Sequence, residues 1–234
     1  MGEIGPSGLM GPIGLLGGSF DPIHLGHLQL ARDARDRLHL AELRLIPAAQ
    51  PWQKGPLTDA AHRAQMVALA IAGEPRLALD MHEIERGGPS YTIDTVRALR
   101  AALGPAARLV LVIGGDQLQR LDTWREWERL TDHAHLAVAR RNDAPLALSP
   151  ALQAWADAHR AGIDAPAALT SEPAGRLVEL PMTPVDASAT EIRALLAQPA
   201  SRARDARLAQ CVPRSVLDYI ARHHLYTDTG SKPA

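Results

Sequence analysis

Apolar residues fall along this chain in short continuous blocks, separated by longer stretches with helical spacing. The blocks are Ile13–Leu16, Leu43–Ile46, Leu77–Leu79, Leu109–Ile113, His135–Ala139 and Leu177–Leu180. A block that is apolar at successive positions predicts a strand covered on both faces, as in a parallel sheet. Between the blocks, the run from Leu28 through Leu38 has helical spacing. A second helix is predicted after a Thr58 cap, through Met66, Leu69 and Ile71 to a stop at Gly73. A third follows a Ser90 cap through Ile93, Val96 and Leu99 and closes at Gly104-Pro105. Leu152 to Ala161 reads as helix, and further helices begin near Ser188 and near Pro213. Strand and helix in alternation predict an α/β fold built on a doubly wound parallel sheet.

At 234 residues the chain can bury one sizeable α/β core with a small appendage. The net charge of −1 gives no basic footprint for nucleic acid, so any bound anion must be met by local arrangement. One cysteine, Cys211, permits no internal disulfide and suits a reducing cytoplasm. No apolar run approaches the ~20 residues of a membrane span. Residues 1–12 are rich in Gly and Pro and read as a flexible extension. The only lysines are Lys54, in the loop 48–57, and Lys232, in a polar tail over 227–234.

Ligands of such sheets bind beyond the carboxyl ends of the strands. Two segments fall there: Gly17 to His27, and Gly114-Gly115-Asp116. The first carries two glycines at a strand exit and two histidines where a helix opens. Free N–H groups and the positive dipole end make a helix start an anion site. Two imidazoles beside it can donate hydrogen bonds to phosphate oxygens as charge builds. Turn chemistry alone would demand the glycines but not both histidines. Neither a P-loop nor a G-x-G-x-x-G fingerprint is present.

A third segment, Asp186 to Arg193, pairs Ser188 with Glu191 at capping-box spacing. Capping leaves Arg193 unexplained, because a cation near a helix N-terminus opposes the dipole unless an anion docks there. Trp124 offers either a flat face for a ring or an ordinary core aromatic. Asp116 fits a ribose hydroxyl, a hydrated metal or a helix cap equally well. His133 and His135 read as structural.

His24-Leu25-Gly26-His27 resembles the H-x-G-H signature of a nucleotidyltransferase superfamily, and Ser188, Thr190, Ile192 and Arg193 resemble its S-x-T-x-I-R element. Glu83 to Thr95, Ile113 to Asp116, and Leu121 to Trp127 resemble stretches of bacterial nicotinate mononucleotide adenylyltransferases. Together with the ending Val212 to Tyr226, the resemblance spans residues 13 to 226. Residues 186 and 187, Asp and Ala, depart from the family's apolar residue and serine. Ala49 and Gln53 stand where other members often have Asn and His.

The resemblance implies a Rossmann-like nucleotidyltransferase core over 13–185 and a small C-terminal helical part over 186–226 carrying the second phosphate motif. It implies adenylyl transfer from ATP to nicotinate mononucleotide, giving nicotinate adenine dinucleotide and pyrophosphate. His24 and His27 would be catalytic. ATP would meet Gly18, Ser19, Phe20, His24, His27, Lys54, Asp116, Ser188, Thr190 and Arg193. The acceptor would meet Ser19, Tyr91, Thr92 and Trp124. Mg²⁺ would arrive with ATP, with no firm protein ligand. A cytoplasmic enzyme is implied, with no nucleic-acid or membrane partner, and a homo-oligomer stays open. Three other readings remain: a pantetheine-phosphate adenylyltransferase or cytidylyltransferase, a metal hydrolase using His24, His27 and Asp116, and a non-catalytic nucleotide sensor. The Ser90–Thr95 and Trp124 segments argue against the first, and the lack of a ligand set such as H-E-x-x-H against the second.

Overall fold

A computed structural model describes residues 11–51, 57–140, 146–161 and 165–227. Lys54, most of the proposed N-terminal extension and nearly all of the tail lie outside the described residues. Six strands form: β1 (Ile13–Gly18), β2 (Glu42–Pro47), β3 (Leu77–Leu79), β4 (Leu109–Gly114), β5 (His135–Arg140) and β6 (Leu177–Pro181). They make one sheet in the order β3-β2-β1-β4-β5-β6, with every neighbouring pair parallel. The six apolar blocks are these six strands.

The alternation of side chains across each strand divides the core in two. Leu16, Val110, Val112, Ala137, Ala139, Val178 and Leu180 face one layer. Ile13, Leu15, Leu109, Leu111, Ile113, Leu136, Val138 and Leu177 face the other. Both faces are covered, so most positions in these strands are apolar, the charged ones (Glu42, Arg44, Arg140 and Glu179) falling on the outer strands β2, β5 and β6, and each fully buried large aliphatic side chain contributes about 1.5–3 kcal/mol.

Helices α1 (Leu25–Arg37) and α2 (Ala60–Ile71) cover the first face. After α3 (His82–Arg86), helix α4 (Thr92–Leu103) packs Ile93, Val96 and Leu99 on the second. The short α5 (Gly115–Leu118) and two 3₁₀ turns (Leu121–Thr123 and Trp127–Asp132) precede β5. Helix α6 (Pro150–His159) adds Leu152 and Ala156 to that second face, and α7 (Ala165–Ser171) follows. Helices α8 (Ala189–Leu196), α9 (Arg202–Cys211) and α10 (Arg214–Arg222) complete the chain. Their Ile192, Leu208, Cys211, Val216 and Ile220 join the first-face core, so this helical part shares the core of the sheet.

Two expected caps move by one residue. Asp59, not Thr58, caps α2 by accepting from the N–H of Ala61 at 2.8 Å. Tyr91, not Ser90, is the N-cap residue of α4. The hydroxyl of Ser90 instead accepts from the N–H of Ala49 at 2.9 Å. The chain reverses its strand order between β1 and β4, and the carboxyl ends of those two strands open the crevice where the sequence placed its ligands.

Candidate active site

A cleft of about 600 Å³ lies at this crevice. Gly17, Gly18 and Ser19 line it from the end of β1, and His24, Gly26 and His27 from the start of α1. Tyr91 and Thr92 enter it from the start of α4, Gly114 to Gln117 from the end of β4, and Ser188 and Ala189 from the start of α8. Trp124 and Arg125 close one side. Three helices of eight residues or more thus direct their N-terminal ends at one cavity, which favours a polyanion without a high net charge.

The histidine pair is held by backbone geometry. His24 is the N-cap residue of α1, and its own N–H donates to His27 Nδ1 at 3.3 Å. The two rings stack with centroids 3.7 Å apart and 24° between planes. An Nδ1 that accepts must carry no proton, which assigns the His27 proton to Nε2 as a donor. Gly26 makes the stack feasible: a Cβ there would lie 3.0 Å from His24 Nδ1 and 3.1 Å from its Cε1. The spacing H-x-G-H thereby has a steric reason, because any side chain at the third position would push the first imidazole aside.

Phe20 does not line the cleft. It is 1% exposed, with a left-handed φ of 47°, and its ring meets His27 edge-on at 5.1 Å. The Phe20 ring thus packs beneath His27 and is not part of the cleft lining. The turn continues through a cis Asp21-Pro22 peptide. Tyr226 donates its hydroxyl to Asp21 Oδ1 at 2.6 Å, and burial, then this hydrogen bond, holds the Tyr226 pKa far above the ordinary phenol value.

Thr190 and Arg193 also stand outside the lining. Arg193 belongs to the last turn of α8, not its first, so the expected conflict with the dipole does not arise. Its Nη1 donates to the carbonyl of Asp21 at 2.6 Å and its Nη2 to Thr190 Oγ1 at 3.4 Å. The two phosphate signatures are thus bonded to each other. Ser188 caps α8, accepting from the N–H of Glu191 at 3.2 Å, but the capping box is half made. The Glu191 carboxylate turns to Arg207 at 2.8 Å.

At the end of β4, Gln117 Oε1 accepts from the N–H of Gly114 at 2.8 Å, so Asp116 is not the cap. Asp116 is exposed within the cleft. A Cβ on Gly114 would come 2.5 Å from Asp116 Oδ1, so a glycine there leaves room for that carboxylate. Trp124 is half-buried, touching the second-face core and the cleft together.

Sequence reasoning passed over three residues of this site. Arg125 lines the cleft with its guanidinium 5.1 Å from the Tyr91 ring centroid. Glu83 is 6% exposed, lines the cleft and accepts from Thr95 Oγ1 at 2.7 Å. Arg63 is buried behind the β1 turn. Glu83 and Arg125 lay inside the stretches 83–95 and 121–127 that resemble the family, but no spacing singled them out there. Nothing in the pattern marked Arg63.

Residues 15–195 match the family described as cytidylyltransferase-like. A protein of Bordetella petrii named "probable nicotinate-nucleotide adenylyltransferase" is 49% identical over 215 residues, covering 92% of this chain and 98% of that protein. One of the same name from Laribacter hongkongensis is 48% identical over 217 residues, covering 92% and 94%. The chain belongs to the nicotinate-nucleotide adenylyltransferases. Its fold is shared with the nicotinic acid mononucleotide adenylyltransferase of Plasmodium falciparum, solved with NaAD. That structure has a TM-score of 0.70 at 18% identity and covers 93% of this chain and 98% of its own. Among the described residues, no helix of this family member is long and apolar enough to cross a membrane.

Proposed function

We propose that this cleft transfers the adenylyl group of ATP to nicotinate mononucleotide, forming nicotinate adenine dinucleotide and pyrophosphate. One observation carries the reading: the His24–His27 pair and the Tyr91–Thr92 helix start with Trp124 line the same cavity. A phosphate-handling half and a ring-handling half therefore stand together.

The acceptor's 5′-phosphate oxygen attacks the α-phosphorus, and the bond from that phosphorus to the bridging oxygen breaks as pyrophosphate leaves. The nucleophile is already anionic, so positioning and charge stabilisation supply the catalysis. His27 donates from Nε2 to an α-phosphate oxygen, and His24 supports it from the stacked position. Gly18 and Ser19 leave the backbone open to the phosphates, while Ser188 with α8, including Thr190 and Arg193, steadies the β and γ groups. Lys54, outside the described residues, is the cation of the neighbouring loop. Thr92 at the α4 start receives the nicotinate carboxylate, Tyr91 and Trp124 flank the ring, and Ser19 lies between the two substrates.

A divalent ion suits this donor set as a companion of ATP. Mg²⁺ takes oxygen ligands and keeps its waters, and Asp116 supplies one exposed carboxylate oxygen pair in the cleft. When bound, it would neutralise charge on the phosphate oxygens. The buried, free Cys211 agrees with a cytoplasmic location.

Purified protein incubated with ATP, Mg²⁺ and each candidate mononucleotide tests the reading. Dinucleotide and pyrophosphate should appear in equal amounts with nicotinate mononucleotide. Turnover with phosphopantetheine or a cytidine substrate instead, or tight nucleotide binding without turnover, would overturn it.

A further inference from the structure

Arg63 on α2 is 1% exposed, and its guanidinium is spent on backbone carbonyls. Nη1 donates to Ser19 O at 2.7 Å, Nη2 to Ala48 O at 2.7 Å and to Ala49 O at 3.1 Å, and Nε to Thr58 O at 2.8 Å. Burying a cation is costly unless hydrogen bonds compensate it, and burial holds this guanidinium below its ordinary pKa. A neutral side chain would fill the space at lower cost. What the planar fork provides is a fixed distance between two loops, the β1–α1 turn at Ser19 and the β2–α2 loop at Ala48 and Ala49.

The contact continues to the other half of the cleft. The peptide unit whose carbonyl accepts from Arg63 is Ala48–Ala49, and the N–H of that same unit donates to Ser90 Oγ at 2.9 Å. A planar peptide holds its C=O and N–H in opposite directions, so fixing one end aims the other. Ser90 returns a bond from its own N–H to Gln50 O at 3.0 Å, and Gln50 bridges Pro89 as a short parallel pair. Tyr91 and Thr92 follow directly. Arg63 itself does not line the cleft, so any influence it has on substrate is indirect.

We propose that Arg63 is a positioning residue that, through the Ala48–Ala49 peptide and Ser90, sets the acceptor turn Tyr91–Thr92 relative to the phosphate turn at Ser19. This rests on the assignment of Tyr91–Thr92 to the acceptor made above.

Steady-state kinetics of the full chain with ATP and nicotinate mononucleotide test it, using Ser90→Ala, Ser90→Thr, Arg63→Lys and the Arg63→Lys/Ser90→Ala pair. Losing one such hydrogen bond should raise the acceptor KM about 5- to 10-fold in Ser90→Ala, with the ATP KM within about twofold. Ser90→Thr, which keeps the hydroxyl, should restore the acceptor KM. Arg63→Lys should raise it at least as far. The double variant should be no worse than Arg63→Lys alone, because both act on one chain of bonds. Effects that multiply would place Ser90 in direct contact with substrate and overturn the relay. So would an unchanged acceptor KM in Ser90→Ala, or equal rises in both KM values. If Arg63→Lys fails to fold, the Ser90→Ala and Ser90→Thr comparison decides alone. Absence of wild-type turnover with nicotinate mononucleotide would instead overturn the assigned reaction, an outcome read before any variant is made.

Discussion

Arg193 donates from Nη1 to the backbone carbonyl of Asp21 at 2.6 Å, tying the last turn of α8 to the turn that leaves β1. The two elements are far apart in sequence and meet only in the folded chain. Spacing alone suggested an arginine waiting for an anion and destabilising its own helix. The bond reverses the expected sign for the free protein. Arg193→Ala should lower apo stability by about 1–2 kcal/mol, the loss of one charge-assisted hydrogen bond of a half-exposed side chain. For a chain of this size that is a Tm lower by roughly 2–8 °C, readable by thermal melting without ligand. ATP binding should weaken as well, because the β1 turn loses its tether. An unchanged apo Tm would return Arg193 to a purely ligand-facing role.

The sheet was legible because strands buried on both faces leave an unbroken apolar signature, as in Leu109 to Ile113. Helix α9 was not. It buries only Leu208 and Cys211 among charged residues, alanines and a glutamine, so its period is hidden although Ser201 caps it from the N–H of Arg204 at 3.2 Å. Ser90 shows a second limit. Its local spacing fits a cap, but Ala49, forty-one residues away, claims its hydroxyl.

The glycine in H-x-G-H provides a sharp test of the stacked pair. Gly26→Ala would bring a Cβ to 3.0 Å from the His24 ring, and the buried imidazole must shift. Turnover should fall by roughly 10²-fold, comparable to His24→Ala or His27→Ala, as expected when a preorganised donor is lost or misplaced. Thermal stability should fall little, because alanine is a better helix residue than glycine. A Gly26→Ala variant with full turnover would show that the stack is dispensable.

The placement of His24, His27 and Ser188 in one cleft was legible because it is local, set by helix starts within three residues. Arg63 makes contacts that cross forty-four residues to Ser19, and a buried arginine among carbonyls has no spacing rule. Phe20, in the same segment as His24 and His27, has its ring buried against His27, a placement the spacing does not predict.

His135 on β5 should impose a pH dependence on stability. It is fully buried, with Nε2 donating to Glu172 O at 2.9 Å and Nδ1 accepting from the N–H of Arg176 at 3.1 Å. The neutral ring satisfies both partners, while a second proton would face an N–H. Burial accordingly lowers its pKa below 6.5. The unfolded chain then binds the proton first as pH falls, so stability is full above about pH 6.5 and declines below it until the folded-state pKa is passed. Urea melts from pH 7.5 to 5 should show this slope, and it should shrink in His135→Gln. An identical slope in that variant would assign the dependence elsewhere.

The start of α4 should tell the acid form of the acceptor from its amide. Thr92 opens α4, and its N-cap residue, Tyr91, supplies no side-chain acceptor to the first turn. N–H groups at such a start favour a carboxylate, each charge-assisted bond contributing about 1.5–3 kcal/mol. Arg125, over the Tyr91 ring at 5.1 Å, adds positive charge on the same side, though its ion pair with Asp94 at 3.4 Å tempers the effect. The amide of nicotinamide mononucleotide would turn an NH₂ toward a donor or leave an N–H without an acceptor, costing a further ~1–3 kcal/mol. Taken together, kcat/KM should favour nicotinate mononucleotide by at least roughly 10²-fold, at ~1.4 kcal/mol per factor of ten. Measuring both acceptors at fixed ATP and Mg²⁺ decides the point. Arg125→Ala should reduce the preference severalfold and leave most of it, since the helix start carries the larger share. Equal efficiency for the two acceptors would remove the α4 start from acceptor recognition while leaving the histidine and Ser188 assignments untouched.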